Sequence, residues 1–127
     1  MPRWGKSLLR VLASVMSPAG RRARLSILIY HRVLAHEDPL NTWDVTAGVF
    51  DAQMRVVAEN FVPLPLSEAV DRLMTGELPP RAACVTFDDG YLDNVEVALP
   101  ILQRHGLSAT FFVATGYLDG GWMWNDK

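Results

Sequence analysis

The sequence predicts an α/β fold, a parallel sheet wrapped by helices, and three observations carry that expectation. Short apolar runs of strand length alternate with longer stretches whose apolar residues recur at three- and four-residue steps. The strand-like runs are nearly free of charge, as strands covered on both faces of a parallel sheet are. Glycines, prolines and acids stand at the ends of these runs rather than in their middles. With 127 residues, half of them apolar, the chain can form one core and not two domains.

Trp4, Leu8, Val11, Leu12 and Val15 recur at helical spacing and predict a short amphipathic helix running up to Ser17-Pro18. Leu25 to Tyr30 is a charge-free apolar run, predicted as a strand buried on both faces, and a polar loop follows it. Phe50, Met54, Val57 and Phe61 mark a helix over residues 47–59. The prolines of Val62-Pro63-Leu64-Pro65-Leu66 allow extended chain but no regular central strand, because each removes a ladder donor. Ser67 is the expected N-cap of the next helix, which carries Ala69, Val70, Leu73 and Met74 and stops at Gly76.

After Pro79-Pro80, Ala82 to Phe87 is the second clear strand, ended by Asp88-Asp89-Gly90. A helix over residues 92–104 follows, kinked at Pro100 and stopped by Gly106, and Ala109 to Val113 is the third strand. Ligands of such sheets bind outside the carboxyl ends of the strands. The residues leaving those ends are His31, then Asp88 and Asp89, then Thr115 and Gly116, so all are expected along one rim.

The net charge of −2 gives no global reason to expect nucleic acid as a partner. Locally the balance differs: every charged side chain before Glu37 is basic. Residues 1–24 are therefore read as a basic N-terminal arm and residues 25–127 as the folded unit. Arg10 interrupts the apolar stretch of the arm, which argues against a cleaved signal peptide, and the stretch is too short to cross a bilayer. A cytoplasmic or membrane-peripheral location is expected, with a helix that packs on the folded unit or stays loose favoured over weak adhesion to anionic lipid. The lone Cys84 sits within an apolar strand pattern and reads as a small buried hydrophobe. His36 reads as solvated and His105 as a helix-end residue far from the rim.

Two adjacent aspartates directly after an apolar strand repel one another and are partly desolvated, costs that a bound cation offsets. One carboxylate can then ligate the metal while its free neighbour accepts a proton from a polarised water. A helix-capping role for Asp88, with Asp89 in solvent, is the competing reading of Asp-Asp-Gly alone. A haloacid dehalogenase type of phosphatase is disfavoured, because its two aspartates are separated by one residue and these are adjacent.

Three separated stretches in register go further: Thr86-Phe87-Asp88-Asp89-Gly90-Tyr91, Leu99-Pro100-Ile101-Leu102 and Ala109-Thr110-Phe111-Phe112-Val113. Together they resemble the polysaccharide deacetylase family, also called the NodB-homology domain or carbohydrate esterase family four. Leu28-Ile29-Tyr30-His31-Arg32-Val33 resembles the first strand of its bacterial members. The resemblance implies a distorted (β/α) barrel, of which this chain is the N-terminal and incomplete part. It implies hydrolysis of N-acetyl groups on a polysaccharide or N-acetylated sugar, with a zinc-like divalent metal.

By position, the resemblance makes Asp88 the general base, Asp89 a metal ligand and Tyr91 the source of the backbone N–H that meets the oxyanion. The family's two metal-binding histidines, three residues apart, have no counterpart among His31, His36 and His105, so the 127-residue chain is expected to be inactive by itself. His31, leaving a strand on the correct rim, is as well suited to lining the pocket as to plain packing. Trp122-Met123-Trp124-Asn125-Asp126 is an aromatic cluster that suits either sugar stacking or burial, burial being favoured. Two rival readings are a catalytically dead carbohydrate-binding module and a membrane-associated structural partner.

Overall fold

The computed structural model describes residues 3–123, with side chains from residue 7 onward. In chain order it contains α1 (Arg3–Met16), β1 (Ser26–Tyr30), β2 (Val33–Leu34), β3 (Val45–Thr46), α2 (Ala47–Asn60), β4 (Val62–Pro63), α3 (Leu66–Thr75), β5 (Ala82–Phe87), α4 (Leu99–Arg104) and β6 (Thr110–Phe111). All strand pairs in these elements are parallel. β5 is the hub: β1 runs along one edge of it, while β4 pairs with its start and β6 with its end.

Every residue of β5 is buried, in keeping with its central place. β1 is different. Its Leu28 and Tyr30 face the core, but Ile27 and Ile29 remain 46% and 62% exposed, which corrects the expectation of a strand covered on both faces. Among the described residues β1 is an edge strand, and its second face is left largely open. An apolar groove of about 720 Å³ runs between β1 and α2, lined by Leu28, Tyr30, Val49, Val56 and Phe61.

The core lies between the sheet and helices α2 and α4, with Phe50, Met54, Val57, Val85, Phe87 and Leu102 at its centre. Tyr30, Phe50, Phe87 and Phe111 form an aromatic chain with ring centroids 5.0 to 5.7 Å apart, in edge-to-face and stacked pairs. The Tyr30 hydroxyl donates to Gln53 Oε1 at 2.8 Å. A smaller cluster of Ala69, Leu78, Ala82 and Cys84 joins α3 to β5. Cys84 is buried there, and burial pushes its thiol pKa up.

Several local expectations are refined. α3 starts at Leu66 after Pro65, so Ser67 lies within the first turn and caps nothing. Proline fits that entry because its φ is preset and no N–H is needed there. Gly76 ends α3 at φ +75°, as expected. The Pro100 kink takes the form of a π turn over Asn94–Ala98, closed by the Leu99 N–H on the Asn94 carbonyl. Widening the turn ahead of a proline relieves the clash its ring makes with the preceding turn. The polar loop after β1 contains the β2–β3 pair, too short to show as a pattern.

α1 ends at Met16, close to the expected limit. Its polar side meets the rest of the chain: Arg10 donates to the Glu59 carbonyl and Ser14 Oγ accepts from Arg81. Its apolar residues Leu8, Val11, Leu12 and Val15 face outward. Among the described residues no helix is long and apolar enough to cross a membrane.

Candidate active site

The register of β1 against β5 decides what meets at the rim. Tyr30 pairs with Phe87, so His31 and Asp88 leave neighbouring parallel strands at the same level. The Asp88 N–H extends the ladder by donating to the Tyr30 carbonyl at 2.9 Å. His31 Nε2 and Asp88 Oδ2 stand 4.0 Å apart, their side chains 52% and 40% exposed.

The chain then turns sharply, with Asp89 and Gly90 both left-handed at φ +74° and +75°. An aspartate tolerates that conformation better than most residues, and a glycine adopts it without penalty. A Cβ on Gly90 meets Val113 Cγ1 at 3.0 Å and its Cα at 3.3 Å. The segment after β6 is thus pressed against the turn, and the Ala114 N–H donates to the Asp89 carbonyl at 3.2 Å. Thr115 and Gly116, expected on the rim, belong to an exposed 3-10 turn just beyond that contact.

Tyr91 follows the turn, half-buried, with the Arg32 guanidinium 4.9 Å above its ring. Arg32 is held in turn: its Nε donates to Asp93 Oδ2 at 2.9 Å, and the Val33 N–H donates to Asp93 Oδ1 at 3.2 Å. Asn94, 1% exposed, donates from Nδ2 to the His31 carbonyl at 2.9 Å. Asp93 and Asn94 therefore tie the first turn of the helix after the aspartates to the loop after β1. Sequence reading missed this latch. Its only local sign is the polar Asp93-Asn94 pair inside a helix start, and its partners lie about sixty residues away.

A polar cavity of about 350 Å³ opens beside this group, lined by His31, Arg32, Asn41, Trp43, Asp44 and Tyr91. The other histidines lie elsewhere. His36 is exposed in its loop, and His105 ends α4 with Nε2 2.9 Å from Asp51 Oδ1. Trp122 is 75% exposed, while Trp124, Asn125 and Asp126 of the aromatic cluster lie outside the described residues.

Carboxylate and imidazole donors suit a divalent cation by type. Among the described residues, however, no group of three or more His, Cys, Asp or Glu side chains stands close enough to share one. The rim by itself does not make a full coordination set.

Residues 75–124 match the polysaccharide deacetylase family model, a stretch that contains the aspartate pair, the π turn and β6. Over those residues the chain is similar to the polysaccharide deacetylases. Bacillus subtilis YxkH, assigned to the polysaccharide deacetylases, is 33% identical over 93 residues, which are 72% of this chain and 32% of that protein. Among solved structures, the Streptococcus pyogenes deacetylase PplD, in complex with acetate, is 32% identical with a TM-score of 0.66. IcaB from Ammonifex degensii is 30% identical with a TM-score of 0.65. The match to PplD covers 72% of this chain and that to IcaB 84%, each covering 43% of the solved chain. The chain thus spans a third to under half of these relatives, and its parallel sheet with outer helices is the corresponding part of their fold.

Proposed function

We propose that this chain contributes the aspartate-bearing part of an enzyme that hydrolyses N-acetyl groups on a polysaccharide or N-acetylated sugar, releasing acetate and leaving a free amine. The observation that carries the reading is the placement of Asp88 and Asp89 at the carboxyl end of β5, with Asp88 4.0 Å from His31, inside the stretch that matches the family. In this reading Asp88 accepts the proton of the attacking water. The Tyr91 N–H donates to the developing oxyanion, where a fixed donor is worth most. His31 lines the pocket and holds the approach to Asp88. Asp89 is the chain's ligand to a divalent, zinc-like cation, the others coming from outside residues 3–123. When bound, such an ion supplies Lewis-acid polarisation.

The test is acetate release from an N-acetylated oligosaccharide, with metal analysis, on the 127-residue chain and on a version extended downstream. The extended protein is expected to bind metal and release acetate, and the 127-residue chain to do neither. An extended protein without metal, in which Asp88→Asn changes nothing, refutes the enzyme reading and leaves a carbohydrate-binding module.

A second property rests on α1. Leu8, Val11, Leu12 and Val15 are 61%, 57%, 52% and 74% exposed on one helix face, within an arm whose charges are all basic. That combination supports attachment to an anionic lipid surface. Sedimentation with anionic vesicles, with and without residues 1–24, tests it: equal binding by both forms removes the idea.

A further inference from the structure

The polar cavity beside the aspartates has a wall that neither the proposed hydrolysis nor the core uses. Trp43 is 92% exposed at its edge, an unusual place for a large flat apolar side chain with no packing role. The loop that presents it is ordered from within. Asn41 Oδ1 accepts from the N–H groups of Trp43 at 3.3 Å and Asp44 at 3.2 Å, and Asn41 Nδ2 donates to Asp44 Oδ2 at 2.8 Å. Both ends of the loop are clamped where Val33 pairs with Val45 and Leu34 with Thr46.

Arg32 and Tyr91, stacked on one another, also line the cavity. Its charged lining residues are Arg32 and Asp44, and Arg32 is already paired with Asp93. Its lining offers acceptor oxygens at Asp44, donor nitrogens at Arg32 and an aromatic face at Trp43. That combination fits a neutral ring rich in hydroxyl groups, whose apolar face stacks on an indole while its edge satisfies donors and acceptors.

We propose that this cavity is a subsite for a neutral pyranose unit, with Trp43 as its stacking platform and Asp44 and Arg32 as its hydroxyl partners. His31 lines the cavity and also stands 4.0 Å from Asp88. The unit held here is therefore the neighbour of the N-acetylated one at the aspartates, and the site selects a chain of sugars over a single sugar. This assignment rests on the deacetylase reading for the nature of the neighbouring unit, but not for the binding itself.

Calorimetric titration of the full chain with an N-acetylated chito-tetrasaccharide and with the N-acetyl monosaccharide tests it. The tetrasaccharide is expected to bind the more tightly, and Trp43→Ala to weaken it about tenfold while leaving the monosaccharide unchanged. Trp43→Phe should recover much of the loss. Because Trp43 packs on nothing, the alanine variant keeps the melting temperature of the parent. No measurable tetrasaccharide binding, or equal binding by parent and Trp43→Ala, overturns the subsite. The two readings fail separately. Tetrasaccharide binding through Trp43 by a protein that never releases acetate, even when extended, keeps the subsite and sinks the hydrolase. Acetate release with unchanged tetrasaccharide affinity in Trp43→Ala does the reverse.

Discussion

The His31 imidazole stands 4.0 Å from the Asp88 carboxylate, a separation set by backbone register rather than by side-chain reach. Tyr30 and Phe87 are paired Cα to Cα, so the two residues that follow must emerge side by side. The contact is longer than a hydrogen bond, so in the proposed reading His31 shapes the approach to Asp88 and does not carry its proton. In a downstream-extended protein that releases acetate, Asp88→Asn should lower kcat by about 10²- to 10⁴-fold. His31→Ala should act chiefly on KM. The melting temperature of either variant should stay near the parent's, since both side chains are partly exposed. A kcat loss for His31→Ala as deep as that for Asp88→Asn assigns His31 to the proton transfer itself.

Gly90 sits at φ +75° with Val113 closing on the space a side chain would need. Gly90→Ala should destabilise the chain by about 1–3 kcal/mol, part from the left-handed backbone and part from the contact. Adding Val113→Ala removes the two Cγ contacts and leaves that with the Val113 Cα. The double variant should recover part of the loss beyond additivity in urea unfolding, and strict additivity shows that the Val113 γ carbons contribute nothing to it.

β5 and its end were readable because a fully buried strand has no polar face to disguise it, and the Asp88-Asp89-Gly90 break marks where it stops. The helices 47–59 and 92–104 were equally plain from spacing, and Pro100 announced an irregularity though not its π form. β1 was misjudged. Ile27 and Ile29 read as core because an apolar run cannot say whether a second layer covers it, and here none does among the described residues. The Arg32–Asp93–Asn94 latch was invisible for a different reason: side-chain pairing across sixty residues leaves no periodic trace. The same holds for Asp51 with His105, which joins α2 to the end of α4.

That Asp51 contact carries a pH dependence. The hydrogen bond from His105, reinforced by Arg104, holds the Asp51 carboxyl below its ordinary range. A carboxyl whose folded pKa lies below its unfolded one stabilises the fold above the unfolded value, about 3.9, and loses that contribution as pH falls through the folded value. Urea midpoints of the parent should therefore drop more steeply than those of Asp51→Asn as pH falls below about 3.9, while near neutrality the parent should be the more stable. Parallel midpoint curves for the two proteins rule the contact out as a source of stability.

Asp93 offers the sharpest check on the rim, because three donors converge on one largely buried side chain. Arg32 Nε and the Val33 N–H each give a hydrogen bond, and Asn94 Nδ2 adds a third at 3.2 Å, while the Asp93 side chain is only 13% exposed. Asp93→Ala leaves the Val33 N–H without its partner and frees Arg32 from its anchor, which should cost about 2–3 kcal/mol. Asp93→Asn keeps the shape and one acceptor oxygen, so it should cost less, mainly through the lost charge on Arg32. The loop after β1 should also loosen. Amide exchange of Val33 should speed up in Asp93→Ala by far more than exchange within β5, whose ladder does not depend on this latch. Equal acceleration at both places means that Asp93 supports the whole fold and has no special hold on the residues around His31.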